Sequence, residues 1–66
     1  MKINAFRIKI ILADREMNQI DLARKCCLTR QQIGDILSRK TCSLKNLGKI
    51  AKALGVPVSE IVMEET

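Results

Sequence analysis

A chain of 66 residues is expected to form one domain, residues 1–66, with no room for a second effector or catalytic unit. A domain of that size buries only ~60% of the surface its unfolded form exposes, so its stability should be modest. Phe6 is the only aromatic residue, which disfavours modules that stack unpaired bases on aromatic side chains; duplex binding needs no such platform.

The first predicted element spans residues 4–16. Ile8, Ile10 and Leu12 alternate as a strand would, whereas Ile8, Ile11, Leu12 and Arg15 fit helical spacing. Length and the absence of Gly or Pro favour a helix capped by Asn4, and a strand confined to Lys2 and Ile3 stays open. A second helix starts at Gln19, where the cap Asn18 coincides with Asp21 in an acidic first turn. It runs to Cys26; Cys27, Leu28 and Thr29 then form a tight turn.

Thr29 and Gln32 have capping-box spacing and open a third helix, residues 30–38. Ser43 caps a fourth, from Leu44 to Leu54, whose Leu44, Leu47, Ile50, Ala51 and Leu54 form an apolar stripe. Gly55 is placed to end it with left-handed backbone, and Pro57 to open a short fifth helix over residues 58–63. The expectation is an all-α, compact five-helix domain without repeats or low-complexity linkers.

Residues 19–38 thus read as a helix-turn-helix. In its second helix Ile33, Ile36 and Leu37 share an inward face. Gln31, Gly34, Asp35 and Ser38 lie opposite, flanked by Arg30 and Gln32. Arg pairs bidentately with guanine, Gln with adenine, and Asp accepts from the cytosine amino group, so this face suits a DNA major groove. An ordinary solvated face would look similar. Gly34 costs ~1 kcal/mol relative to Ala inside a helix. Either it is tolerated weak propensity, or it lets the backbone approach a phosphate or a base edge. Arg39, Lys40 and Thr41 follow directly, with Lys45 soon after, and suit the flanking phosphates.

Charge is divided along the chain. Residues 1–52 hold all twelve Lys and Arg against Asp14, Glu16, Asp21 and Asp35, a net of +8; residues 53–66 hold only Glu60, Glu64 and Glu65, a net of −3. A basic body with an acidic tail fits a polyanion gripped by one surface, or simply solubility charge. Cys26, Cys27 and Cys42 are too few ligands for a structural zinc site, and no His is present, so no metal or other cofactor is expected. An odd cysteine count without a signal peptide favours the reducing cytoplasm, and Cys26 is expected to pack as a small apolar residue. The longest apolar run, residues 10–13, is too short to cross a membrane.

Gln19, Leu22, Ala23, Thr29, Ile33 and Ile36, followed by Leu47, Ile50, Ala51, Lys52, Ala53, Leu54, Gly55 and Val56, resemble the Cro/phage-repressor (XRE-like) helix-turn-helix family. The likeness covers roughly residues 6–62. It implies a lambda-repressor-like five-helix domain that binds operator DNA, palindromic in keeping with a homodimer, and regulates transcription without enzymatic activity. Position by position, Arg30, Gln31, Gln32 and Asp35 would contact bases. Asn18, Gln19, Thr29, Arg39, Lys40 and Thr41 would contact the DNA backbone, and Ala23 would let the paired helices cross closely.

Three departures from the family pattern are visible. Cys27 stands where a turn Gly is usual, which asks a residue with a Cβ to accept positive φ. Leu12 and Leu37 replace a buried Arg–Glu pair together, stranding neither charge, and should touch. Arg39 replaces the usual Gly after the recognition helix.

A second functional class remains. An antitoxin or anti-repressor type protein-interaction module would keep the fold and dock through the acidic tail or the fifth helix. Phe6, Ile10, Ile61, Val62 and Met63 form either a two-fold interface or part of the monomer's own core. No small-molecule ligand is evident.

Overall fold

The computed structural model describes residues 1–63, so Glu64 and Glu65 of the acidic tail lie outside the described residues. Four α-helices follow in order: α1 (Ala5–Asp14), α2 (Gln19–Cys26), α3 (Arg30–Arg39) and α4 (Leu44–Leu54). Each opens on a side-chain cap. Asn4 Oδ1 accepts from Arg7 N–H (3.0 Å), Asn18 Oδ1 from Asp21 N–H (2.9 Å), Thr29 Oγ1 from Gln32 N–H (3.0 Å) and Ser43 Oγ from Asn46 N–H (3.2 Å). At α2 and α3 the box is complete, because Asp21 and Gln32 accept in return from Asn18 and Thr29 N–H.

Ile3, Ile8, Leu22, Ile33, Leu47, Ile50, Leu54 and Ile61 are fully buried in one core to which every helix contributes. Removing such a side chain from water contributes ~1.5–3 kcal/mol. Leu12 and Leu37 are both buried in it, where a single charge would lack a partner. Ala23 is also buried, in α2, a helix that packs against both α3 and α4.

The fifth helix is replaced by a 3-10 turn, Val58–Glu60, entered from Pro57 in extended conformation. Backbone pairing stops the helix from growing. Asn4 N–H donates to Ile61 O (2.8 Å) and Met63 N–H to Lys2 O (3.0 Å), which draws residues 61–63 out alongside residues 2–4. On the other side Ile3 N–H donates to Lys40 O and Cys42 N–H to Met1 O, both at 3.0 Å. Lys2 and Ile3 thus make isolated antiparallel bridges to Thr41 and Val62, a small seam that pins the chain leaving α3.

The seam also divides the surplus apolar residues. Ile61 is fully buried, so it belongs to the monomer core and not to an interface; Val62 packs half-buried against that core. Phe6 is 73% exposed, and Ile10 and Met63 are also exposed.

Candidate nucleic-acid interface

Cys27 sets the crossing of α2 and α3. It ends α2 with φ 58° and ψ 35°, as the missing Gly requires, and Leu28 N–H closes the turn on Ala23 O (2.9 Å). α3 runs one residue further than its sequence pattern suggests. Arg39 stays helical, and the left-handed residue is Lys40 (φ 60°), whose N–H donates to Ile36 O (2.8 Å).

With Ile33, Ile36 and Leu37 turned into the core, the opposite flank of α3 faces solvent. Gln19, Arg30, Gln31, Gly34 and Asp35 line one shallow depression, so the start of α2 meets the first turns of α3. Gln32, Asp35, Ile36, Arg39, Thr41 and Asn46 line a second. Asp35 belongs to both and forms the ridge between them. Together they make a continuous polar surface along α3.

The caps leave this surface rich in donors. In Asn18 and Thr29 the side-chain oxygen accepts from a helix N–H, and in Gln32 the oxygen accepts from Thr29 N–H. The Asn18 and Gln32 amide NH2 groups and the Thr29 hydroxyl proton are therefore left to bind outward, which is what an acceptor-only phosphate needs. Arg30 and Arg39 have no carboxylate partner among the described ion pairs, which join Arg7 to Glu60 and Arg15 to Asp14.

Two expected contacts are placed differently. Lys40 lies beside Ile3, Asn4, Phe6, Lys9, Leu37 and Met63, on the flank of the seam, away from the two α3 depressions. Thr41 lines the second depression, but its hydroxyl donates to Met1 O (2.9 Å) and is already used inside the protein. The sequence reading missed Asn46. Its capped N–H at the start of α4 and its place beside Arg39 bring it to this surface, and the signal available was the Ser43 cap three residues before.

The cysteines are free thiols. Cys26 is buried, and burial, with Cys27 beside it, pushes its thiol above the usual range against a smaller opposing pull from Lys49. That fits packing as a small apolar side chain. Among the described residues no helix is long and apolar enough to cross a membrane.

Comparison with known proteins agrees with this geometry. The family described as Helix-turn-helix matches residues 8–61. An immunity repressor protein of Bacillus phage phi105 is 46% identical over 61 residues, covering 91% of this chain. The chain spans 42% of that relative's length. No solved structure matches. With the family pattern spanning most of its length on the fold described above, the chain belongs to the XRE-type helix-turn-helix family.

Proposed function

We propose that this chain is a sequence-specific double-stranded DNA-binding transcription regulator of the Cro/repressor kind, with α3 in the major groove. One observation carries the reading. The outer flank of α3 presents Arg30, Gln31, Gln32 and Asp35 together, exposed, while its inner flank is locked into the core. Arg30, Gln31 and Asp35 carry base discrimination, and the Gln32 amide reaches a base or the backbone. Asn18, Gln19, Thr29 and Arg39 hold phosphates on either side, with Asn46 adding a polar group at the far edge. Lys40 acts as a long-reach cation from beside the seam, and Thr41 contributes once its hydroxyl leaves Met1. Kinship with a phage immunity repressor supports repression as the outcome, and no step calls for an enzyme or cofactor.

The protein works in the cytoplasm as a homodimer on a palindromic operator, its half-sites about one helical turn apart. Exposed Phe6, Ile10 and Met63 are the apolar surface available for the two-fold contact. Sedimentation showing a monomer both free and on DNA would remove the dimer.

Selection of bound sites from random duplexes at two salt concentrations tests the whole reading. A palindromic consensus should emerge, with affinity falling steeply as salt rises. Gln31→Ala should change the preferred base at one position, at ~1–3 kcal/mol of discrimination, whereas Lys40→Ala should weaken all sequences alike. Affinity that ignores salt, or a Gln31→Ala variant with unchanged preference, would defeat it.

A further inference from the structure

Gly34 has no role in the fold. It sits inside α3 with ordinary helical backbone, and a Cβ built on it meets nothing within 4 Å. Neither strain nor crowding requires glycine, and alanine would make the better helix. Gly48 in α4 is equally open. The two differ in setting, because Gly34 is a half-buried wall of the depression formed with Gln19, Arg30, Gln31 and Asp35.

The chemistry of that depression narrows what can enter it. As an interior helical residue, Gly34 has both its N–H and its C=O engaged within the helix, so its surface offers no hydrogen bond. A phosphate is poorly matched there, since the carboxylate of Asp35 on the rim offsets the guanidinium of Arg30. An apolar group small enough for the hollow is a better match. The major groove displays one such group, the C5-methyl of thymine, in the same base pair whose adenine a glutamine reads.

Resting on the proposed DNA reading, we infer that Gly34 is a specificity-determining residue whose missing side chain makes room for a thymine methyl beside Gln31. A Cβ at position 34 and that methyl would compete for one volume. Two methyl groups, one on the protein and one on the DNA, therefore decide the fit.

The test is a cycle on the duplex selected by the wild type, with each thymine replaced in turn by uracil to delete its methyl. Gly34→Ala and Gly48→Ala should both fold and raise the melting temperature by several degrees, since both remove a helical glycine from open space. Gly48→Ala should bind as the wild type does. Gly34→Ala should lose about tenfold in affinity on the thymine site and regain most of it on the duplex lacking one particular methyl. Equal binding by Gly34→Ala and the wild type, or a loss that no uracil substitution relieves, would overturn the inference and leave the DNA reading standing. Failure of the wild type to select any duplex would overturn the DNA reading and this inference with it.

Discussion

α3 and α4 differ by one residue in length, each buries aliphatic side chains in the common core, and each ends in left-handed backbone. They reach that ending differently. α4 stops on Gly55 (φ 72°), which has no Cβ to strain. α3 lies between Cys27 (φ 58°) and Lys40 (φ 60°), where an L-residue costs roughly 1–2 kcal/mol. α3 is thus held less by local preference at its two ends than by what grips it. Ile33, Ile36 and Leu37 fix its inner side, and hydrogen bonds from residues 1–3 fix the chain that leaves it. α4 ends without backbone strain, whereas α3 depends on its neighbours to hold two strained ends.

That dependence breaks first at the inner flank. Leu37→Glu places a carboxylate in the core and should lower the unfolding free energy by ~3–5 kcal/mol, a large part of what a domain of this size possesses. We propose that Leu12 and Leu37 meet across that core, as the family's ion pair would. If so, Leu12→Arg combined with Leu37→Glu should be more stable than the sum of the single losses by ~1–3 kcal/mol in urea denaturation. Strict additivity would place the two side chains in separate layers.

The left-handed positions give the next largest effect and bear directly on the difference between α3 and α4. Cys27→Gly and Lys40→Gly should each stabilise by ~0.5–1 kcal/mol, strain relief being partly offset by the greater freedom of an unfolded glycine. Gly55→Ala should destabilise by ~1 kcal/mol. In a domain this small, 1 kcal/mol moves the thermal midpoint by ~4–8 °C, well within calorimetric reach. If Cys27→Gly gains nothing, packing around the turn already compensates its backbone, and the two helices are less different than their ends suggest.

What the sequence disclosed follows the range of the interactions involved. Asn4, Asn18, Thr29, Ser43 and Gly55 act on neighbours three or four residues away, so the starts of the four helices and the end of α4 were legible, as was the inward set of α3. Cys27 was legible as a strained position because one residue type was absent where another is usual. The fifth helix misled. Pro57 and the apolar residues after it carry a helix signal, but residues 61–63 pair with residues 2–4, more than fifty positions away, and no local pattern records that. The same seam explains why Lys40 and the Thr41 hydroxyl are turned from their expected surroundings. Glu16 (φ 53°), in the turn after α1, is a residue type that does not announce left-handed backbone. Asn46 reaches the surface by tertiary proximity, and the Ser43 cap three residues before it marks only its place at the start of α4.

Alkaline titration offers a smaller effect that separates the buried half of the helix-turn-helix from its exposed turn. The Cys26 thiol is raised above its ordinary value of 9.0, chiefly by burial. Unfolding therefore releases a proton once the pH exceeds that value. The stability contributed by the neutral thiol is complete below pH 9.0 and is lost as pH rises through the folded-state value. In reducing buffer the denaturation midpoint should hold up to about pH 9 and then fall. Cys26→Ala should flatten part of that fall, and Cys42, also raised by burial, should account for another part. A slope unchanged in Cys26→Ala would mean that water reaches the thiol at the α2 end.

The smallest effect belongs to the Arg7–Glu60 pair, which joins α1 to the 3-10 turn at 2.9 Å with both side chains nearly half exposed. It looks like the fastening of the chain's C-terminal segment, yet exposed pairs contribute only ~0.2–1 kcal/mol and salt screens them. The segment is held instead by Ile61, fully buried, and by the backbone bonds of Asn4 and Met63 on either side of it. Glu60→Gln should therefore change stability by no more than ~0.5 kcal/mol at physiological salt and by nothing measurable at 1 M. Because that seam also fixes Lys40 and Thr41 at the exit of α3, a larger loss would show that an ion pair far from the polar flank helps to position it. A small loss would confine the mechanical link to the backbone of residues 1–4.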